Sequence, residues 1–284
     1  MPLVPMKKML QVAREGNYAV GAFNPVDYSS CKAIVAAAEE LNAPVIVQTS
    51  SKTVTYWGHE TLSSWMKDIA GNSPVPVVFH LDHCKDLDMI KHCIETGWTS
   101  VMIDASSFPF EENLAMSQEV VKMAIPAGVD VEAELGEIGG VEEDIVVDED
   151  KAGLADPDKA EQFCKALDLA AFAPAIGTAH GVYKGEPKIS FDLIETIYQR
   201  TRIPLALHGG TGLSDDIFKR CIALGCAKVN ISTNLKYEFI DGFCDYHTDN
   251  PDDYEPLRIL GAQLDRMKNM IKEKIGQFGS IGKA

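Results

Sequence analysis

A (β/α)8 barrel of the TIM type is the fold class that this sequence predicts, and three observations predict it. Short apolar runs alternate with amphipathic stretches along almost all of the 284 residues. The alternation completes eight strand–helix units, which implies parallel strands joined by helical crossovers. Residues with catalytic potential collect just past the apolar runs, where a barrel gathers its strand ends around one mouth. An open, doubly wound sheet usually carries a Gly-rich phosphate fingerprint after its first strand. Here that strand runs into Phe23-Asn24-Pro25 instead. One barrel domain over residues 1–284 is expected, with no boundary for a second.

Each unit follows from its own pattern. The apolar run at 18–23 is the first strand, and the amphipathic stretch at 28–41 is its helix. The second strand is 44–48, opened by Pro44, with a helix near 60–70. The third is 76–81, opened by Pro76 and rich in β-branched side chains, with a helix at 86–96. The fourth strand is 99–103 and its helix 111–125. The fifth is 130–135. Residues 136–156 then form a Gly-rich, acidic, enlarged loop, whose densest charge (142–150) reads as a solvated surface. A helix at 158–167 leads to the sixth strand at 172–176 and a helix at 191–200. The seventh strand is 204–207; Ser214 caps its helix at 215–224. The eighth strand is 228–231, with a helix at 235–246. An extra C-terminal amphipathic helix at 263–278 closes the chain.

The composition excludes several roles. A formal charge of −16, with no basic patch, disfavours nucleic acid and anionic membranes as partners. No apolar run approaches the roughly 20 residues that span a bilayer, and the N-terminus shows no signal-peptide pattern. Seven scattered cysteines read as reduced thiols of a cytoplasmic protein.

The strand ends carry the chemistry. They offer Asn24, Gln48 and Ser50, which are expected to meet substrate, then Asp82 and His83, Asp104, Glu132 and Glu134, His180 and Gly181, His208 to Thr211, and Asn230 to Thr233. Three imidazoles on one rim, His83, His180 and His208, suit a catalytic zinc ion with an open position. Asp82, just before one of them, can move a proton or orient a ligand. Asp104 and Glu134 suit a supporting role or a second metal position. Cys84 is expected to be a buried thiol, and His80 to pack or support a ligand. His59, His92 and His247 fall on helices or loops.

The last two strand ends carry a different signal. The run His208-Gly209-Gly210-Thr211-Gly212 lets backbone approach a ligand closely. The run Asn230-Ile231-Ser232-Thr233 brings hydroxyls and amides to a helix start. Loops after barrel strands seven and eight commonly hold phosphate there, with Lys184 as a nearby cation. The combined reading is metal, phosphate and proton shuttle.

The motifs that carry this reading also carry a resemblance. They are His80-Leu81-Asp82-His83, Ser100 to Ser106, Val131 to Gly136, Gly177 to Gly181, Leu207 to Gly212 and Lys228 to Thr233. With them, the chain resembles the class II, zinc-dependent ketose-bisphosphate aldolases, close to the tagatose- and fructose-bisphosphate members. The resemblance implies zinc on His83, His180 and His208, with Glu134 and Asp104 at an alternative metal position. It implies Asp82 as the proton-transfer residue for the C4 hydroxyl, Asn230 as a stabilising donor, and Glu142 as a proton carrier at the dihydroxyacetone phosphate carbon. Gly181, Gly209, Gly210, Thr211, Asn230, Ile231, Ser232 and Thr233 would hold that phosphate half. Backbone oxygens near Gly181 and Gly209 would hold a monovalent cation, Na+ or K+. A homodimer or homotetramer acting on a sugar phosphate is expected.

One departure bears on the substrate. Bisphosphate-cleaving members typically carry Asp-Pro-Arg before the last helix; here the residues are Glu255-Pro256-Leu257, with Arg258 one place later. A leucine cannot form the charge-assisted bonds of an arginine. Lys52 stands near the second strand where many members have glycine. The aldehyde-side tail is therefore expected to differ from an ordinary phosphate, unless Arg258 takes over. The competing readings are a zinc hydrolase on the same barrel and a non-catalytic partner subunit of another aldolase.

Overall fold

The computed structural model describes residues 3–142, 145–147, 153–181, 183 and 185–284. In chain order, α1 (Met6–Glu15) precedes β1 (Val20–Phe23) and α2 (Tyr28–Glu40). β2 (Val45–Ser50) is followed by two helices, α3 (Ser51–Trp57) and α4 (His59–Ala70). Then come β3 (Val77–Cys84), α5 (Leu87–Thr96), β4 (Ser100–Ile103), α6 (Phe110–Ala124) and β5 (Asp130–Leu135). The enlarged loop holds a hairpin of β6 (Gly139–Glu142) and β7 (Ile145–Val147). The chain continues through α7 (Pro157–Ala166), β8 (Ala171–Pro174), the short β9 (Ala179–His180), α8 (Phe191–Thr201) and β10 (Leu205–Leu207). It ends with α9 (Asp215–Leu224), β11 (Cys226–Ile231), α10 (Thr233–Asp249) and α11 (Pro256–Gln277).

Eight strands close a parallel barrel in the order β1-β11-β10-β8-β5-β4-β3-β2, as the eight-unit alternation requires. The period-2 alternation of each strand sorts its side chains. On β2 and β3, Val45, Val47, Val77, Phe79 and Leu81 face outward into the layer between barrel and helices. The intervening residues, Ile46 and Val78 at the start and then Gln48, His80 and Asp82, line the interior.

Three features go beyond the sequence reading. First, α1 plugs the barrel at the N-terminal ends of the strands. Its Met6, Leu10 and Ala13 are buried against Val20, Ile46, Val78 and Ala171, and the Val4 amide donates to the Val77 carbonyl. The spacing 6, 10, 13 is a helical apolar stripe. Only the opposite end can open as a mouth. Second, α11 starts at Pro256 rather than 263. Pro at the first helical position suits its missing N–H, and the Glu255 side chain accepts from the Leu257 amide. Third, the enlarged loop contributes strands of its own: β6 pairs antiparallel with β7 and parallel with β9, setting Gly140 opposite His180. Among the described residues, no helix is long and apolar enough to cross a membrane.

Candidate active site

The mouth is built around a distortion of β3. Regular alternation would send Asp82 and His83 to opposite faces. Instead His83 takes the left-handed conformation, φ +43°, rare for a residue with a Cβ. The pairing of β3 with β4 shifts register between Leu81 and Cys84. The irregularity turns both Asp82 and His83 to the mouth and returns Cys84 to the apolar layer, where it is fully buried.

Asp82 is buried and accepts from three side-chain amides. Asn24 Nδ2 donates to Oδ2 at 2.8 Å, Gln48 Nε2 to Oδ2 at 3.1 Å, and Asn230 Nδ2 to Oδ1 at 3.2 Å. Gln48 Nε2 also donates to Asn24 Oδ1 at 2.8 Å. The sequence reading gave Asn24 and Gln48 to the substrate; the structure turns both amides onto the carboxylate and so fixes its direction.

His83, His180 and His208 converge from β3, β9 and the end of β10. Their ring centroids lie 4.6 to 6.0 Å apart, and one nitrogen from each falls within 4.8 Å of the others. His83, Asp104 and Glu134 form a second such set that shares His83. His83 Nδ1 meets Asp104 Oδ2 at 3.0 Å. His208 Nε2 meets Glu132 Oε1 at 2.8 Å, which leaves Nδ1 toward the cluster, 3.5 Å from Glu134 Oε2. Both His208 Nδ1 and Glu134 Oε2 are buried with no hydrogen-bond partner among the described residues. Buried polar atoms rarely stay unsatisfied, and a divalent cation would satisfy both. The donor chemistry fits such an ion.

The charges around the cluster are strongly coupled. Burial works against a charged His83, but Asp82, Asp104 and Glu134 outweigh it and hold its imidazole well above the ordinary range. Burial likewise opposes charge on His208, and Glu132 with Glu134 raises it. Asp104 resists burial through His83 and Ser106 and lies below the usual carboxylate range. Glu132 lies below it too, because Lys228 and His208 outweigh its desolvation. Burial, reinforced by Lys228, pushes His80 down to about 3, so it is neutral and pairs with Ser100 Oγ at 2.9 Å.

Across the mouth, the β10 and β11 ends form the turns expected to hold phosphate. Gly209 has φ +68°, and a Cβ there would sit 2.3 Å from the Ala179 carbonyl oxygen. Gly181 also has a positive φ, +84°. Thr211 and Ser232 are buried. Ser232 caps no amide of α10, and its Oγ has no partner among the described residues. The first turn of α10, starting at Thr233, adds the unpaired amides of a helix N-terminus. The Ile231 side chain is buried in the apolar layer, which leaves its backbone as the part that this residue can offer to the turn.

Buried catalytic-type side chains at one mouth of a closed barrel agree with what the chain matches. The family described as "Fructose-bisphosphate aldolase class-II" is matched over residues 4–283. The chain belongs to the class II fructose-bisphosphate aldolases. It is 42% identical to a fructose-bisphosphate aldolase of Geobacillus stearothermophilus, covering 100% of this chain and 99% of the relative. It is 40% identical to that of Staphylococcus aureus strain Mu50, covering 100% of both. The structure of the YdjI aldolase from Escherichia coli K12 has a TM-score of 0.88 at 33% identity over 99% of each chain. As a member of this family the protein is a lyase.

The remaining residues assigned from sequence lie around this aldolase mouth or outside it. Ser50 accepts from the Thr53 amide at 3.2 Å and so caps α3. Lys52 and Ser51 on α3 line a cavity of about 840 Å³ together with Val26, Tyr56 and Trp57. Arg258 is exposed and pairs with Asp253 at 2.9 Å on the α10–α11 connection. Lys184 and the side chain of Glu142 lie outside the described residues. Sequence reading gave no role to Glu132 or Lys228, and missed Tyr183. The Tyr183 hydroxyl donates to the Gly209 carbonyl at 2.8 Å and accepts from the Ala179 amide at 3.1 Å, tying together the two backbones beside His180 and His208.

Proposed function

We propose that this aldolase reversibly cleaves a ketose 1-phosphate to dihydroxyacetone phosphate and an aldehyde, with zinc on His83, His180 and His208. The observation that carries the proposal is the buried Asp82, aimed by three amides, beside three converging imidazoles. The metal would polarise the substrate oxygens as a Lewis acid. Asp82 takes the proton of the C4 hydroxyl as the C3–C4 bond breaks. The bonding pair passes toward the C2 carbonyl oxygen, and C4 leaves as the aldehyde carbon. Asn230 stabilises the developing negative charge, and Glu142 delivers the proton that C3 then requires. Glu134 and Asp104 offer the ion an alternative position. The phosphate rests on Gly181 and on the turns Gly209 to Thr211 and Asn230 to Thr233, Lys184 is the cation that the sequence offers it, and backbone oxygens near Gly181 and Gly209 would hold a Na+ or K+ ion. The family assignment replaces the hydrolase reading.

A finer reading concerns the far end of the substrate. Leu257 is 75% exposed at the start of α11, and Arg258 is engaged by Asp253. Lys52 instead stands over the cavity beside β2. These residues favour an aldehyde whose tail is a carboxylate, a sulfonate or an uncharged group. The chain works as a cytoplasmic homodimer or homotetramer; Tyr237, Ile240 and Phe243 of α10, with Leu257 and Leu260 of α11, supply exposed apolar surface for the contact.

Metal analysis and a coupled assay for dihydroxyacetone phosphate test both readings. The substrates are fructose 1,6-bisphosphate, tagatose 1,6-bisphosphate, fructose 1-phosphate and 6-sulfo-fructose 1-phosphate. Cleavage of none overturns the activity. Strong preference for either bisphosphate rejects the altered tail.

A further inference from the structure

Two hydrogen-bond chains run down from the mouth and end on one side chain. Lys228 of β11 is fully buried inside the barrel. Its ammonium lies 3.1 and 2.9 Å from the two oxygens of Glu132 and donates to Asn230 Oδ1 at 2.8 Å. An ammonium has three protons and no acceptor; this one donates to Glu132 Oε1 and Asn230 Oδ1, and Glu132 Oε2 meets it only as an ion-pair contact. Glu132 in turn accepts from His208 Nε2, and Asn230 donates to Asp82.

We propose that Lys228 is a positioning residue for the aldolase reaction, orienting Asn230 toward Asp82 and Glu132 toward His208 at the same time. The proposal rests on the roles given above to Asp82 and His208. Its physical basis is the asymmetry of an amide. Turned end for end, Asn230 would present Oδ1 to the Asp82 carboxylate and its N–H groups to the ammonium. Both hydrogen bonds would be lost and both new contacts would repel. With Lys228 in place, only one orientation is stable. On the other branch, a carboxylate facing His208 Nε2 requires the proton there and leaves Nδ1 with its lone pair toward the cluster. Partners of this kind fix the tautomer of a metal-binding imidazole. One buried cation thus aligns the proton-transfer half and the metal half of the mouth.

Simple charge balance for Glu132 is the competing account, and two variants separate them. Lys228→Met keeps the chain length and removes the charge. With whichever ketose phosphate the wild type cleaves, kcat is expected to fall about 30-fold with KM changed less than about threefold, and zinc affinity to weaken about tenfold. Lys228→Met combined with Glu132→Gln restores a neutral interior, and carries the test if the single variant does not fold. Under the positioning role its kcat stays low; recovery to within about threefold of wild type overturns the proposal. Side-chain amide signals of Asn230 and imidazole nitrogen signals of His208, recorded by NMR on metal-free protein, give a readout independent of turnover. One sharp, slowly exchanging Asn230 amide pair is expected in the wild type and a broadened or split pair in Lys228→Met. Unchanged signals in the folded variant overturn the proposal even if the wild type cleaves none of the sugar phosphates.

Discussion

The two ends of the barrel interior are built on the same strands and share almost nothing else. At the plugged end, Met6 and Leu10 of α1 pack on Ile46 and Val78. Two residues further along β2 and β3 the inward positions are Gln48 and His80, and two beyond those are Ser50 and Asp82. The ladder is continuous, so the difference lies in the side chains alone. At the plugged end, removing apolar area from water stabilises the fold, at about 25 cal/mol per Å². At the mouth, every buried polar group needs a partner or it destabilises the protein. Stability and chemistry are thus separated along the strand axis. Lys228, Glu132 and His80 form the layer between them.

Substitutions at the two ends should therefore fail in different ways. The largest effect is expected from Asp82→Ala, which removes the proposed proton acceptor: kcat should fall about 10³-fold, while metal analysis should still find the ion, because Asp82 is outside the imidazole set. Cleavage at the wild-type rate by a metal-loaded Asp82→Ala enzyme would remove the mouth from the argument. The counterpart is Leu10→Ala. Leu10 is fully buried in the plug, so denaturant unfolding should show a loss of about 3 kcal/mol, with kcat within about twofold of wild type, as expected for a site that keeps its own contacts. A matching collapse of kcat in the folded variant would show that the ends are not separate.

Proton linkage should also distinguish them. In the metal-free protein His83 and His208 lie above their ordinary 6.5. They contribute stability below about 6.5 and lose it as pH rises through their folded values. Asp104 and Glu132 are depressed below 3.8 and 4.5. They contribute above those values and lose it as pH falls through their folded ones. A metal requires deprotonated imidazoles, so its uptake near neutral pH should expel protons and weaken as pH falls, about tenfold per unit for each proton. Calorimetry in buffers of different ionisation enthalpy measures this. Leu10→Ala should leave the proton count unchanged, and zinc binding at pH 7 without proton release would contradict the charge coupling described.

Much of the mouth could be read from residue order, because a barrel converts strand ends into neighbours. The eight strands and the convergence of His83, His180 and His208 follow from that rule. What could not be read is who meets whom across the interior. Nothing in sequence places Lys228 beside Glu132, 96 positions away, or turns Gln48 onto Asp82 rather than outward. The left-handed His83 was equally hidden, since it is rare for histidine and arises from a register shift between two strands. The α1 plug left a visible signal in its Met6, Leu10 and Ala13 spacing, but a helix before the first strand has no place in a strand–helix count.

Two smaller effects sharpen the comparison. Gln48 shares the orientation of Asp82 with Asn24 and Asn230. Gln48→Met should lower kcat about tenfold, the worth of one hydrogen bond to a charged group, with unchanged metal content. An effect as large as that of Asp82→Ala would mean that Gln48 itself meets the substrate.

The smallest effect is expected at the outer rim of the plugged end. There the Lys7 ammonium pairs with Asp168, and the two side chains are 39% and 53% exposed. Water screens such a pair, and holding two long side chains in one geometry costs entropy, so Lys7→Met should cost at most about 1 kcal/mol. The Lys7 backbone amide, which donates to Asp130 Oδ2 at 2.6 Å, survives the substitution and keeps the first turn of α1 in place. Unfolding in denaturant should therefore separate Lys7→Met from Leu10→Ala by about 2 kcal/mol, with identical kcat. If Lys7→Met were the more destabilising, charge at the rim rather than apolar packing would be what seats the plug.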